Sequence, residues 1–398
     1  MRELTAELAR ELTGHIIPFW KKLRDEEHGG YAGLVSSDLT VRPEADKGSI
    51  QNSRILWFFS EAYLLLGDPS LLDEAEHAYS MLRRMTDENN GGLYWSIRAD
   101  GTVADGTKHT YCQAFALYGL ASYARASRCP DVLTRARAQF DLMEAKCRDE
   151  DGILESFTET WGPEENRKLS GSGVLAFRTM NTLLHVIEAY TGFCRAVKEC
   201  RASAGEEEAV KERLRWLVSL WESRIYNRDR RRQEVFFDAK YRSLADVHSY
   251  GHDIEASWLI EESLEVLNDP ALTSRIRPLL LELADHVLTE AMSETGLANE
   301  RADGKTDERR CWWVQAEAMR GFLGAWEKTG EARYRDAVLT EWRFIRERLI
   351  DRRPGGEWFR TLSPDGTPYW NEPAADPWKA PYHNGRLAME FIRLDPEV

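Results

Sequence analysis

The chain has 398 residues, 42% of them hydrophobic and 30% charged, with a net charge of −14. That is enough apolar matter for one large core. The acidic balance argues against nucleic acid or an anionic membrane surface as partner, because phosphate binding needs a basic footprint.

The first twelve residues, Met1 to Leu12, have the spacing of an amphipathic helix and not of a signal peptide. No apolar run approaches a membrane span. The six cysteines form no C-x-x-C pair. They are expected to be reduced thiols in a cytoplasmic protein.

Helical periodicity then dominates, and the helices come in pairs. A first helix is predicted over 2–22. Others follow over about 50–66, 71–85, 109–126, 132–146, 180–197 and 206–224. The last five cover about 252–267, 271–288, 311–328, 332–349 and 381–394. Asp68-Pro69 and Cys129-Pro130 read as breaks between pair members. The connections between pairs, such as Gly355-Gly356-Glu357-Trp358-Phe359, read as short hairpins.

No low-complexity linker divides the chain, so residues 1–398 are expected to form a single domain. Helices opening near 50, 109, 180, 252, 311 and 381 recur every 60–70 residues, the period of a two-helix repeat with loops. Six such pairs close into an all-α (α/α)6 barrel, those six helices inside and their partners outside.

Each predicted inner helix opens with polar residues. The first carries Arg54, the second Tyr111 and Gln113, the third Asn181 and His185. The fourth carries His252 and Glu255, the fifth Trp312, Trp313 and Glu317, the sixth Tyr382 and His383, just after Trp378. Parallel helices would bring these groups together in one cavity. Gly251 reads as the break before the fourth helix. The macrodipole at that helix start disfavours an imidazolium, so His252 is expected to be neutral. Glu255, one turn on, is placed to orient it. Glu188, three after His185, reads as a buried polar partner. Trp312, adjacent to Trp313, is expected to face away from it.

The set contains no G-x-S-x-G, no G-x-G-x-x-G and no complete P-loop. His248 and His252 have the spacing of a chelating pair, but Gly251 between them speaks against one continuous helix. No metal and no cofactor is expected. Neutral histidines across a cavity suit proton transfer at a carbon next to a carbonyl, with Arg54 to stabilise the enolate oxygen. Tryptophan and tyrosine offer faces on which a sugar ring can stack.

These residues resemble the N-acylglucosamine 2-epimerase superfamily, most closely its cellobiose 2-epimerase branch. The resemblance rests on Ile50-Gln51-Asn52-Ser53-Arg54, Lys108 to Phe115, Arg178 to Tyr190, Ser249 to Glu255, Trp312 to Glu317 and Pro377 to Arg386. It implies an (α/α)6 barrel and C2 epimerisation of a reducing-end sugar through an enediolate. It further implies that His252 and His383 are the acid/base pair, that His185 assists at an oxygen, and that Arg54 binds the oxyanion. Tyr111, Asn181, Glu255, Trp313, Glu317 and Trp378 would hold the sugar, a disaccharide or a monosaccharide. Three other readings remain open. One is an isomerase or epimerase acting on mannose. Another is a glycoside hydrolase using Glu255 and Glu317. The last is a sugar-binding protein without catalysis. Oligomeric state, monomer or homodimer, is not legible.

Overall fold

The structure, a computed structural model, describes residues 1–169 and 173–395. The (α/α)6 barrel is present. The inner helices are Ser49–Leu66, Thr110–Ser127, Met180–Glu199, Tyr250–Leu267, Trp312–Thr329 and His383–Leu394. Each packs on the next, and the sixth packs on the first, which closes the ring. In the Ser49–Leu66 helix every residue from Ser49 to Ala62 is buried. A helix covered on all sides needs no polar face, and the Ser49–Leu66, Thr110–Ser127 and Tyr250–Leu267 helices carry no clear amphipathic stripe.

The outer helices are Pro69–Arg84, Pro130–Lys146, Ala204–Leu220, Pro270–Ala291 and Ala332–Phe344. The N-terminal segment completes the set against the sixth inner helix. It runs from Arg2 through a π-helical turn at Leu12–Ile16 to Lys22. Three outer helices begin at proline itself rather than after it. Proline at the first helical position lacks an N–H that would have no intrahelical partner anyway. Asp68 caps one by accepting from Ser70 N, and Asp269 caps another by accepting from Ala271 N and Leu272 N.

The two ends of the barrel are connected differently. At the C-terminal ends of the inner helices the chain turns back in two to four residues. All five of these turns pass through a residue with positive φ: Gly67, Arg128, Arg201, Asn268 or Gly330. At the N-terminal ends the connections are long and carry all the strands. The residues entering the first five inner helices each pair, antiparallel, with a strand of the following connection: Lys47–Gly48 with Ser96–Ile97, Lys108–His109 with Ser156–Phe157, and Arg178–Thr179 with Phe236–Phe237. Val247–Ser249 pairs likewise with Glu300–Ala302, and Arg310–Cys311 with Thr361–Leu362. A bridge between Val35 and Ala375 joins the last connection to the first. Backbone pairing thus fixes the whole rim from which the inner helices start.

Gly251 does not break the chain. It lies in the first turn of the Tyr250–Leu267 helix. A Cβ there would stand 2.5 Å from the Trp313 ring. Glycine is needed for the close approach of the neighbouring helix, not for a turn. All six cysteines are free. Among the described residues no helix is long and apolar enough to cross a membrane.

Candidate active site

A cavity of about 400 Å3 opens at the N-terminal ends of the inner helices. Its wall includes Arg54, Tyr111, Asn181, His185, His252 and Glu255. Trp313, Trp378 and His383 line it too. Nine of the ten residues singled out in the sequence are therefore brought together. The tenth, Glu317, is 1% exposed and lies behind His383, outside the wall.

The three histidines are held in the same manner. Nδ1 of His383 lies 2.7 Å from Glu317 Oε1. Nδ1 of His185 lies 2.8 Å from Glu188 Oε2, and Nδ1 of His252 lies 2.7 Å from Ser249 Oγ. Each ring is thus tied back through one nitrogen, which leaves Nε2 for a ligand. A carboxylate at Nδ1 selects the Nδ1–H tautomer, so Nε2 of His383 and of His185 is an unprotonated base. Trp313 sits between the other two rings, its centroid 4.8 Å from His252 and 5.7 Å from His383.

Burial is the first cause that lowers the pKa of both members of this pair to about 3. For His252 the other histidines push the same way. For His383 the adjacent Glu317 opposes the shift without cancelling it. His185 is lowered by burial as well. Desolvation is the largest cause of the neutrality of His252. Glu255 does not orient His252. The imidazole turns back towards Ser249, and Glu255 instead accepts from Arg386 Nη2 at 3.1 Å.

Arg54 links its two neighbours in the ring. It donates to Trp378 O at 2.9 Å and to Tyr111 Oη at 3.1 Å, between the rings of Phe115 and Tyr382. Its Nε is buried without a partner, as is Asn181 Oδ1 in the same wall. Unpaired buried polar atoms facing a cavity are what a hydroxylated ligand satisfies. Trp312 also lines the cavity, contrary to the expectation that it faces away. It is the first residue of its helix, where two successive side chains both border the mouth.

His248 belongs to another arrangement. Its Nε2 lies 2.9 Å from Asp253 Oδ2, and it is not in the cavity wall, so no chelate with His252 forms. Among the described residues the donors of Glu255, Glu317 and His383 approach one another as metal ligands would. A guanidinium already occupies their midst: Arg386 Nη2 donates to Glu317 at 2.8 Å and to Glu255 at 3.1 Å. Glu317 also accepts from Trp258 Nε1 at 2.9 Å. The two carboxyls proposed for hydrolysis therefore share one cation and do not flank a cleft.

Arg386 and Tyr382 are groups that the sequence alone left without a role. Glu188 is indeed the polar partner of His185, and it also accepts from Tyr382 Oη and Arg386 Nη1. The i, i+3 spacing of His383 and Arg386 was the available signal.

The N-acylglucosamine 2-epimerase (GlcNAc 2-epimerase) family matches residues 29–384. A cellobiose 2-epimerase of Eubacterium cellulosolvens is 43% identical over 98% of both chains. Among solved structures, a sugar epimerase from a ruminal bacterium superposes with a TM-score of 0.95 at 41% identity, covering 98% of this chain and 99% of that one. The cellobiose 2-epimerase of Bacillus thermoamylovorans B4167 superposes with a TM-score of 0.93 at 39% identity, over 99% and 100% of the two chains. A barrel with three tied-back histidines at its rim, matched along nearly its whole length, belongs to the N-acylglucosamine 2-epimerase family of carbohydrate epimerases.

Proposed function

We propose that this chain inverts C2 of the reducing-end sugar of β-1,4-linked disaccharides, cellobiose first and lactose also, with residues 1–398 serving as one catalytic domain. The observation that carries the reading is the pair of neutral histidines on either side of Trp313 in one cavity wall. The similarity to cellobiose 2-epimerases supports the substrate.

The chemistry follows from the geometry. With the sugar open, His383 Nε2 takes the C2 proton, while Glu317 accepts from Nδ1 and stabilises the cation that forms. The C–H electron pair moves into the C1–C2 bond, and the carbonyl oxygen becomes an enediolate oxygen. Arg54, a permanent cation, stabilises that charge. With the enediolate charge in the cavity, His252 takes a proton from solvent and delivers it to the opposite face of C2, which gives the epimer, and His383 releases the abstracted proton to solvent, so both rings end neutral. In reverse the two histidines exchange roles. His185 moves the proton that opens and closes the ring. Tyr111, Asn181, Glu255 and Trp378 hold the hydroxyls and faces of the sugar, and Trp313 stacks against it. No cofactor enters these steps.

The test is proton NMR of cellobiose, lactose and mannose with EDTA-treated protein in D2O. Deuterium at C2 with a new manno or gluco epimer is the expected result. Fastest turnover of free mannose would move the substrate to the monosaccharide. Ketose as main product would make it an isomerase, and release of free monosaccharide without exchange would sink the histidine mechanism.

A further inference from the structure

Arg386 lies one turn after His383 on the sixth inner helix, 3% exposed and absent from the wall of the active-site cavity. Its two terminal nitrogens serve three different inner helices. Nη1 donates to Glu188 Oε1, and Nη2 donates to Glu317 and to Glu255. Glu188 turns its other oxygen to His185, and Glu317 holds His383. The result is one unbroken chain: His185, Glu188, Arg386, Glu317, His383. The rings of Tyr382 and Trp258 pack against the guanidinium at 4.0 and 4.5 Å.

We propose that Arg386 is a positioning residue that sets the tautomer of two active-site histidines at once, by holding the carboxylates of Glu188 and Glu317 ionised and aimed at Nδ1. The proposal rests on the epimerase reading for its catalytic consequence, but not for its structural one. Three carboxyls buried together cannot all stay charged. Glu255 is the one that keeps its proton: burial and the neighbouring Glu317 carboxylate push it well above the usual range. Glu188 and Glu317 are lowered, against their burial, with the Arg386 charge the first cause acting in that direction on each.

Without the guanidinium, at least one of the two would take up a proton. A protonated carboxyl donates instead of accepting. Nδ1 would then become the acceptor, and the ring proton would move to Nε2. An Nε2–H facing the cavity is no base. A lysine ammonium keeps the charge but not the planar fork that reaches two carboxylates together.

Other charged and titratable groups face these histidines. Arg54 comes from the first inner helix and Tyr111 from the second, where its hydroxyl is a neutral partner of Arg54. His252 and Glu255 come from the fourth, and Tyr382 from the sixth. Arg54 and Arg386 both lower His185 and His383. Removal of the Arg386 charge raises the imidazole whose carboxylate stays ionised, whereas the ring whose carboxyl takes up the proton loses the Glu188 or Glu317 anion that raises it.

The experiment compares wild type, R386Q, R386K and E188Q by C2 exchange of cellobiose in D2O, by circular dichroism for folding, and by nitrogen-15 shifts of the histidine rings for the tautomer. Wild type should show His185 and His383 with the proton on Nδ1. R386Q should move it to Nε2 on at least one of them and lower kcat at least about a hundredfold with KM within about threefold. R386K should lose less kcat than R386Q. E188Q should alter His185 and leave His383 unchanged. A folded R386Q that keeps Nδ1–H on both rings, or keeps the wild-type kcat, overturns the proposal. Should R386Q not fold, R386K decides it: Nδ1–H kept on both rings with the wild-type kcat counts against the proposal, and its loss from at least one ring supports it. A wild type that exchanges no sugar would end the epimerase reading, and the ring tautomers would still decide the role of Arg386.

Discussion

The two ends of the barrel are both rich in charge, yet they use it in opposite ways. At the N-terminal end the cavity wall keeps polar atoms uncommitted: Nε2 of three histidines, Nε of Arg54 and Oδ1 of Asn181. The C-terminal end holds a larger cavity, about 720 Å3, whose wall is a lattice of ion pairs. There Glu61 accepts from Ser122, Arg125 and Arg393. Arg195 pairs with Glu262 at 3.0 Å, Arg320 with Glu390 at 3.4 Å, and Lys328 with Glu265 at 2.9 Å. Unpaired buried atoms occur at both ends, since Arg320 Nε and Nη1 in this wall also lack a hydrogen-bond partner; the difference lies in the three histidines, which line the N-terminal wall and not this one. Loop length follows the same division, since two- to four-residue turns leave little to build with, whereas the long, strand-paired connections shape a mouth.

Four substitutions set the ends against each other. The largest effect is expected from His383→Ala and His252→Ala. Each should lower C2 exchange by at least about a thousandfold with melting unchanged within a few degrees, because proton transfer to a positioned group supplies about that much. A variant retaining near-normal exchange in the NMR assay would remove that histidine from the mechanism.

Next comes Glu317→Gln, expected to cost about a hundredfold in kcat, since an amide neither fixes the tautomer nor stabilises the imidazolium. The same groups set the pH dependence. The histidine pair binds protons at about 3 in the folded state against 6.5 when unfolded. The unfolded chain therefore holds more protons between those values. The stability due to neutral burial is complete above pH 6.5 and is lost as the pH falls below it, by about 1.4 kcal/mol per unit per group. kcat/KM should stay level well below pH 6.5, until unfolding ends it. An acid limb at 6.5 with the protein still folded would show exposed histidines instead.

The smallest effect on rate is expected at the other end. Glu61→Gln leaves Arg125 and Arg393 without a common partner in a half-buried lattice and should cost about 3 kcal/mol of stability. Denaturant melts measure that loss, and exchange by the folded protein should match wild type. A fall in kcat would tie the ion-pair lattice to the chemistry.

The helix pairs, their order and the residues opening each inner helix were legible because periodicity and turn chemistry are local. Gly251 shows the limit of such reading. Its type suggested a break, but its reason is the Trp313 ring of a helix sixty residues on. Trp312 and Glu317 went the same way: helical spacing says which residues share a face, but not where the face ends at a barrel mouth.

What the sequence by itself determined was an all-α repeat with three histidines, an arginine and aromatic residues at recurrent helix starts. Only the tertiary structure decided that Ser249 and Glu317 hold two of the histidines, and that Arg386 joins the Glu317 carboxylate to that of Glu188, whose place beside His185 the spacing had already given. A carboxyl's partner and its charge depend on burial and on groups far away in the chain. Those become neighbours only when six helices close into a ring.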